Sequence, residues 1–513
     1  MNVSLNKNKK SFIIHPFFLC CFPVLFLISF NAHELVIQDA FIPLVISVSI
    51  SFVSWIILRC FIDGKKAGLI ISLFIILFII YGNTHTLLQS SDYSAIQFLG
   101  SNPILGTVFL AVGIFGTIFF IKTKASTELN TIFNVVAVSI IAVLIVSLMS
   151  YYISNWTDVD NILSDFVQEP IIINNVEKKP DVFVFILDEF AGEKTLKMDF
   201  NYDLAPFNKE LEKRDFLIPD ASFSNYPHSF LSLASTMSMD YLDSIVEEAD
   251  PNSKDFQLFI QLTDRSIVLR MFDSYEYKVT TLNSVAPVLG YTGKNVDEYI
   301  CTHFGEISIE LRKKLVLTYM PITYFNDQLL SHHSRDRLEC IFSYIENYES
   351  DGKQPHFIHS HLMFPHGPFV YDSEGNTVSR DPNLQIDKEG YLNQLIFAEK
   401  KILELIDSVQ ERSPESVIIV YSDHGYRQEI IDQANPTDED LIRGFNNISA
   451  IYFPDKDIAF PEKFSLVNLY RIFFNTYFDT DYEILEDRQI WYDNIIPKPY
   501  VHVDVTDRLN SFI

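Results

Sequence analysis

The chain has 513 residues, 48% of them hydrophobic, and it carries 39 basic against 66 acidic side chains, a formal net charge of −27. A chain of this length can form a membrane region and one large globular domain. Its acidity excludes binding that depends on attraction to nucleic-acid phosphates or anionic lipid headgroups, because like charges repel. We therefore expect no nucleic-acid partner.

Five apolar windows in the N-terminal part are each long enough to cross a bilayer, at about twenty residues with few or no charges. They cover roughly residues 11–31, 36–61, 67–84, 103–122 and 130–153. The first is similar to a signal peptide, but no small-residue cleavage site follows it and four more windows come after it. The sequence therefore predicts an all-α transmembrane domain of five helices over residues 1–153.

The basic residues of this region predict the orientation of the helices. All eight precede the first window or lie in alternate loops: Lys7, Lys9, Lys10, Arg59, Lys65, Lys66, Lys122 and Lys124. The other loops, near 31–35 and 83–103, contain no lysine or arginine. By the positive-inside rule the N-terminus lies in the cytoplasm, and five crossings place everything after about residue 152 outside it.

Beyond the membrane region the chain becomes polar and acidic. Residues 154–180 predict a linker, and residues 181–513 predict one exported domain. After residue 155 there are 31 basic against 61 acidic side chains, a net charge of −30, which we interpret as a solvated surface rather than a binding device. Cys301 and Cys340 lie outside the windows, and they either pair in an oxidising compartment or remain buried thiols.

Strand-like and helix-like segments alternate after residue 181, which is typical of an α/β layered fold. Buried strands are predicted over 181–187 and 417–420, and an amphipathic helix over about 392–409 leads into the second of them. A further strand over 448–453 and a helix over 467–478 continue the pattern.

Both buried strands end at residues that can bind a metal ion. Asp188 and Glu189 follow the first strand, and Asp423 and His424 follow the second. Ligand sites in open α/β sheets lie at the carboxyl ends of strands, so we expect the two pairs at one edge of the sheet. One such ending alone is an ordinary turn signal, but the two together predict a metal-dependent enzyme.

Residues 225–237 contain the candidate nucleophile. Apolar residues recur there at helical spacing and Pro227 stands near the helix start, so Ser229 falls in the first turn. Free backbone N–H groups and the helix dipole favour an anion at that position, which suits attack by a hydroxyl on a phosphate or sulfate ester. The alternative is that this serine, like Ser232 and Ser235, only caps and packs the helix.

Four of the thirteen histidines fall within residues 356–366. His359 and His361 share one face of a predicted strand, where core or surface histidines with polar partners are common, and we interpret them as structural. His366 follows the strand in a proline-rich loop, from which a side chain can reach into a site.

These residues together predict a mechanism. A serine hydroxyl is a weak nucleophile, and no base accompanies Ser229 in the sequence. A divalent cation held by Asp188, Asp423 and His424 would stabilise the alkoxide and polarise the ester oxygens. Mixed carboxylate and imidazole ligands favour zinc or manganese, and magnesium or calcium is the alternative if oxygen ligands dominate.

The order of these motifs resembles the sulfatase-like branch of the alkaline phosphatase superfamily. The resemblance covers about residues 180–495 and is strongest to membrane-anchored bacterial lipoteichoic acid synthases and phosphoethanolamine transferases. It rests on Asp188-Glu189, Asn225–Ser229 with Ser232–Ser235, Pro365–Phe369 and Ser422–Gly425. It implies an alkaline phosphatase-like sandwich with a central, mostly parallel sheet, preceded by the five-helix membrane domain.

Carried over residue by residue, the resemblance implies one divalent metal ion and a serine nucleophile. Its metal ligands would be Asp188, Ser229, Asp423 and His424, with Ser229 also the nucleophile. Glu189 stands where sulfatases place a second ligand aspartate, so it is a further candidate ligand.

The resemblance also implies a role for His366, which would contact the substrate phosphoryl group or protonate the leaving oxygen. The chain departs from the family at the context of Ser229. Leu231 and Leu233 stand where formylglycine sulfatases have proline and arginine. This departure argues against an authentic formylglycine sulfatase.

The leading hypothesis is a membrane-anchored, metal-dependent transferase. It would move a phospho-alcohol group from a phospholipid donor, through a Ser229-linked intermediate, to a glycan or lipid of the cell envelope. The alternative is a sulfatase-like hydrolase of sulfate or phosphate esters, and a third hypothesis is a non-catalytic membrane scaffold. The expected location is a bacterial inner (plasma) membrane, with multiple passes and a periplasmic or extracellular catalytic domain.

Overall fold

The computed structural model of the protein describes residues 12–32, 37–91, 93–166, 170–171, 173, 178–249, 251, 256–283, 295–301, 315, 319, 323–350, 352–378, 387–430, 434–454, 463–492 and 499–511. Side-chain surroundings are described for these residues except 38–39, 154–162, 164–166, 257 and 323–333. The chain forms two compact units: Met1–Trp156 with Gly305–Asn326, and Thr157–Phe304 with Asp327–Ile513.

The first unit is helical. Its helices are α1 (His15–Leu19), α2 (Phe22–Phe30), α3 (Phe41–Arg59), α4 (Gly64–Gln89), α5 (Ser94–Leu99), α6 (Asn102–Lys122) and the start of α7 (Ser126–Phe166), with a 3₁₀ turn at Ile37–Ala40. Within the described ranges, α3, α4, α6 and the Ser126–Ile153 part of α7 are long and apolar enough to cross a membrane. The protein therefore contains four such helices in the part of the chain that the structure describes.

The predicted count of five membrane helices is thus only approximate. The first predicted span, residues 11–31, is divided into α1 and α2, two short helices within the apolar stretch His15–Phe30. Pro23 stands in the first turn of α2, and a proline ring cannot continue a preceding helix because it lacks an N–H and clashes with the carbonyl four residues earlier. The three N-terminal lysines used for the orientation lie outside the described residues.

Helix α7 continues beyond its apolar part to Phe166. The predicted linker, residues 154–180, therefore begins inside a helix. Its residues 167–169, 172 and 174–177 lie outside the described ranges, so the linker stays a prediction.

The second unit is built on a six-stranded sheet in the order β4-β3-β5-β1-β6-β7. The strands of the unit are β1 (Val182–Leu187), β2 (Ala221–Phe223), β3 (Lys278–Asn283), β4 (Glu298–Ile300), β5 (His356–Leu362), β6 (Val417–Tyr421), β7 (Ser449–Tyr452), β8 (Lys463–Ser465), β9 (Ile490–Tyr492) and β10 (His502–Asp504). All neighbours in the large sheet are parallel except β6 and β7. The predicted α/β class with a central, mostly parallel sheet is confirmed.

Helices cover both faces of this sheet. They are α8 (Glu193–Phe200), α9 (Ala205–Glu212), α10 (Ser229–Ser238), α11 (Asp243–Glu248), α12 (Gln257–Asp264), α13 (Ile267–Ser274), α14 (Thr323–Glu346), α15 (Lys388–Arg412), α16 (Asp438–Phe445), α17 (Leu469–Phe478) and α18 (Thr506–Asn510). Odd-numbered residues of β1 pack in one hydrophobic core with α8, α9, α14 and α15, and even-numbered residues pack in a second core with α10, α13 and α17. Strands buried on both faces are continuous apolar runs, as predicted for β1 and β6.

A disulfide bond joins Cys301 to Cys340, which lies in α14. Of the two alternatives left open by the sequence, the structure therefore has the paired form. Cys20, Cys21 and Cys60 of the first unit are free thiols. Disulfides persist in oxidising compartments outside the cytoplasm, which agrees with the predicted orientation.

We expect three of the five cysteines to react with a maleimide reagent when the membrane-extracted protein is denatured without reduction, and all five after reduction, since the disulfide blocks two thiols. Intact mass after labelling counts the adducts. A variant carrying Cys301→Ser and Cys340→Ser is the control and should take three labels under both conditions. Five labels on the unreduced wild type would contradict the pairing.

Candidate active site

The carboxyl ends of β1, β5 and β6 bring three ionisable side chains to one face of the sheet. Val182 pairs with Val417 in the β1–β6 register, so Asp188 and Asp423, each six residues further, lie at the same level. His361 of β5 is the register partner of Ile186, at the end of the neighbouring strand on the other side of β1. Since side chains alternate between the faces of a sheet, all three continue the face covered by α10.

The three side chains form a compact, buried group. Asp188, His361 and Asp423 each offer one ligand atom, and these three atoms lie within 4.8 Å of one another. The Nε2 atom of His361 is 3.4 Å from Oδ2 of Asp188 and 3.9 Å from Oδ2 of Asp423. His424, which follows Asp423 directly in the chain, contacts the same two carboxylates. Its Nε2 atom lies 3.7 Å from Oδ1 of Asp188 and 3.7 Å from Oδ2 of Asp423. Two carboxylates thus lie between two imidazoles.

This group fits a divalent metal ion. Oδ1 of Asp188 and Oδ2 of Asp423 are buried and accept no hydrogen bond from any described residue, and a buried carboxylate oxygen without a donor or cation is costly. In a tetrahedral zinc site with bonds of about 2.0–2.1 Å, neighbouring ligand atoms are about 3.3 Å apart. The imidazole nitrogens here lie 3.4 to 3.9 Å from the carboxylate oxygens, close to that spacing.

Ser229 lies beside this group. It is the first residue of α10, with His228 at the N-cap position, and its Oγ atom is 3.2 Å from Nε2 of His424. The other ring nitrogen of His424, Nδ1, is 2.8 Å from the carbonyl oxygen of Gly425. That contact places the imidazole proton on Nδ1 and leaves the Nε2 lone pair directed at Ser229 and the carboxylates.

Hydrogen bonds fix α10 relative to the end of β6. Ser232 donates its Oγ proton to the carbonyl oxygen of Asp423 at 2.6 Å, and residues three apart in a helix share a face, so this bond also orients Ser229. The backbone N–H groups of Glu189 and His424 donate to Oδ1 of Asp423 at 3.3 and 3.0 Å. The second oxygen of Asp423, Oδ2, therefore remains available to contact a metal ion.

Glu189 and His366 form a second pair at the rim. Glu189 has a left-handed backbone conformation, and its carboxylate accepts the backbone N–H of Arg427 at 2.8 Å and the side-chain amide of Gln428 at 3.3 Å. Nε2 of His366 lies 3.8 Å from Oε2 of Glu189, while its Nδ1 atom donates to the carbonyl of Gly367 at 2.6 Å. Glu189 is thus bound by the loop after β6, and its role as a metal ligand stays a prediction.

The pKa values of the two buried aspartates are shifted in opposite directions. Burial and the charge of Asp188 raise the pKa of Asp423. Burial alone would raise the pKa of Asp188 as well, but the charges of His366, His361 and His424 and a hydrogen bond to His361 lower it below its usual value. Burial lowers the pKa of His361, but its hydrogen bond to Asp188 and the carboxylate charges raise it overall. Because a metal ion competes with protons for these groups, acidification opposes metal binding.

The structure brings together Asp188, Ser229, Asp423 and His424, as their predicted ligand roles require, and places Glu189 and His366 beside them. It adds His361, which the sequence had suggested to be structural. The alternation within β5 is visible in the sequence, but the pairing of β5 with β1 is not, and that pairing is what puts His361 against Asp188. The assignment of roles to these residues remains a prediction.

The chain matches no protein-family model and no curated protein sequence. Solved structures similar to it include the C-terminal periplasmic domain of EcEptC from Escherichia coli, with 13% identity and a TM-score of 0.41 over 66% of this chain and 96% of that one. Another is the integral membrane lipooligosaccharide phosphoethanolamine transferase A (EptA) from Neisseria meningitidis, with 14% identity and a TM-score of 0.36 over 86% and 87%. A third is the phosphonate monoester hydrolase of Agrobacterium radiobacter, with 10% identity and a TM-score of 0.38 over 61% and 80%.

We expect His361→Gln to weaken binding of Zn²⁺ or Mn²⁺ by at least tenfold, because it removes an imidazole that contacts both carboxylates. Metal affinity of the purified protein measured by calorimetry checks this. His359→Gln is the matched control, since His359 lies on the same face of β5, two residues further from Asp188, and burial lowers its pKa to about 3. Equal affinity of the two variants would contradict a role for His361 at the metal.

Proposed function

We propose that the protein is a metal-dependent enzyme in which Ser229 attacks a phosphoric ester and passes the phospho-alcohol group to a second hydroxyl compound. The observation that supports this most directly is the position of Ser229 at the start of α10, with its Oγ atom 3.2 Å from Nε2 of His424 and beside the buried Asp188 and Asp423. Nucleophile, metal-type ligands and a helix N-terminus converge on one point, as phosphoryl transfer requires.

One divalent ion would be held by Asp188, Asp423, His424 and Ser229, with His361 in contact with the same carboxylates. The mixed oxygen and nitrogen donors favour zinc or manganese. When bound, such an ion supplies positive charge that stabilises the serine alkoxide and the charge developing on the phosphoryl oxygens.

In the first step the Oγ atom of Ser229 forms a bond to phosphorus, and the bond from phosphorus to the alcohol oxygen of the donor breaks. Ser229 attacks as the alkoxide, its hydroxyl proton having passed to solvent. His366 gives a proton from Nε2 to the departing oxygen. Its position suits this role, because Nδ1 is fixed by Gly367, Nε2 lies near Glu189, and 39% of its side chain is exposed.

In the second step an acceptor hydroxyl returns the proton to His366 and its oxygen attacks phosphorus, so that Ser229 is released. The donor is proposed to be a phospholipid and the acceptor a glycan or lipid of the cell envelope. This proposal is supported by the four helices long enough to span a bilayer and by the Cys301–Cys340 disulfide, which together favour an integral membrane protein with its catalytic domain, residues 181–513, periplasmic or extracellular.

The alternative is a hydrolase, in which water takes the place of the acceptor hydroxyl. The two functions use the same residues and differ only in the second step. Incubating the purified protein in vesicles with a phospholipid labelled in its headgroup phosphate, and with or without envelope glycans, separates them. Label on a glycan, or on a lipid other than the donor, supports the transferase. Label released only as a soluble phosphoric ester supports the hydrolase.

We expect Ser229→Ala to reduce turnover at least 10³-fold while most of the metal affinity is retained, because the attacking atom is lost but three proposed ligands remain. A covalent phospho-alcohol adduct on Ser229, seen by intact mass after acid quenching, should be absent from the variant. Ser235→Ala is the control, since Ser235 lies in the same helix and donates only to the carbonyl of Asp240. Unchanged turnover in Ser229→Ala would refute the nucleophile.

We expect His366→Gln to slow reactions with poor leaving groups far more than reactions with good ones, since an alkoxide needs a proton to depart and p-nitrophenolate does not. The loss should be on the order of 10²–10⁴-fold for an alkyl phosphodiester and only a few fold for bis(p-nitrophenyl) phosphate. Turnover of the two substrates by wild type and variant measures the difference. An equal loss on both would assign His366 to binding instead of proton transfer.

A further inference from the structure

The first unit contains a long apolar cavity between α3, α4 and α6. Its volume is about 1040 Å³, at the upper end of the roughly 300–1,000 Å³ typical of small-molecule sites. The residues lining it include no Asp, Glu, Lys, Arg or His. Its walls carry six large apolar side chains that are also exposed on the surface: Ile46, Ile50, Phe74, Phe78, Ile114 and Ile118.

The cavity follows α3 for most of the length of that helix. Lining residues extend from Pro43 to Leu58, which corresponds to about 22 Å at 1.5 Å per residue. The hydrocarbon core of a bilayer is about 30 Å thick, so one leaflet is about half of that. The cavity is therefore longer than the depth of one leaflet, over which a phospholipid acyl chain extends.

The helices around the cavity indicate whether lipid or water lies outside it. Most of the lining residues belong to α3, α4 and α6, each of which is long and apolar enough to cross a membrane, and Cys20 just after α1 and Pro23 and Val24 of α2 also contribute. A cavity with exposed apolar walls on such helices would open toward lipid tails rather than water. A hydrocarbon chain from the bilayer is the chemical class that fits it.

Two residues from far along the chain also line the cavity, Leu315 and Tyr319. Tyr319 is buried, and its ring stacks on Phe78 with centroids 6.0 Å apart. Tyr319 belongs to one buried apolar cluster together with residues of the helical unit that include Ala32, Ala40 and Leu148. These three residues lie toward the helix ends that the positive-inside rule places outside the cytoplasm.

The sequence positions of these two residues link them to the second unit. Leu315 and Tyr319 belong to the first unit, although Thr157–Phe304 before them and Asp327–Ile513 after them belong to the second. These two lining residues are therefore connected along the chain, in both directions, to the proposed catalytic unit.

We propose that this cavity holds one acyl chain of the phospholipid donor, with Leu315 and Tyr319 against the part of the chain nearest the headgroup. The inference rests on the proposed function, because it assigns a site to the lipid donor. Lipid tails are as apolar as the cavity, so van der Waals fit rather than the hydrophobic effect favours binding. Filling the cavity with a larger side chain should therefore be enough to displace the chain.

Photolabelling tests this without depending on turnover. The full-length protein is placed in phosphatidylethanolamine and phosphatidylglycerol vesicles that contain a phospholipid with a diazirine in the middle of one acyl chain. We expect labelling concentrated on α3, α4 and α6 peptides that line the cavity, in wild type and equally in Ser229→Ala. Ile50→Trp should reduce this labelling at least fivefold, and Ile114→Trp on the opposite wall serves as the second variant if the first fails to fold.

Val143→Trp is the matched control, because Val143 is exposed on α7 and does not line the cavity; it should label like wild type. In active protein, the ratio of KM for a long-chain donor to KM for a dihexanoyl donor should rise about tenfold in Ile50→Trp and stay unchanged in Val143→Trp. Labelling spread evenly over all lipid-facing helices and unaffected by Ile50→Trp would overturn the proposal. Since labelling needs no catalysis, absence of turnover on any donor would refute the proposed function and leave this test decisive.

Discussion

Two buried carboxylates, Asp188 and Asp423, impose the constraint on which the rest of the second unit depends. They end neighbouring parallel strands at the same level, and both are almost completely buried. Like charges this close in a buried site persist only if a cation or a proton compensates them. The imidazole of His361, whose pKa these carboxylates raise, supplies part of that compensation, and the oxygens that accept no hydrogen bond from the described residues define where a metal ion would supply the rest.

The neighbouring backbone keeps these side chains in place by close steric contact rather than by further charges. Gly425 follows His424 directly, and a Cβ atom there would collide with the carbonyl oxygens of Arg443 and Asn446. Only glycine lets the chain after β6 lie against α16, which in turn keeps the Gly425 carbonyl in place to accept from Nδ1 of His424. On the other side, the bond from Ser232 to the Asp423 carbonyl sets the rotation of α10. Ser229, Asp423 and His424 are therefore positioned by the same strand end.

The sequence predicted those parts of the site that depend on local pattern. Buried strands before Asp188 and Asp423 follow from continuous apolar runs, and the helix start at Ser229 follows from spacing and a nearby proline. The position of His361 against Asp188 was not predicted, because it depends on which strand lies next to β1, and strand order is a non-local property. The assignment of residues 305–326 to the helical unit was not predicted, for the same reason. The break between α1 and α2, by contrast, is encoded locally by Pro23.

The two imidazoles have different positions relative to Ser229. Asp188 presents Oδ1 to His424 and Oδ2 to His361, so the histidines contact opposite oxygens of one carboxylate. Oδ2 of Asp423, by contrast, is approached by both imidazoles, by His361 at 3.9 Å and by His424 at 3.7 Å. His424 also lies against the Oγ atom of Ser229. The predicted metal site would therefore connect to Ser229 through His424 and the shared oxygen of Asp423, whereas His361 lies at the opposite oxygen of Asp188.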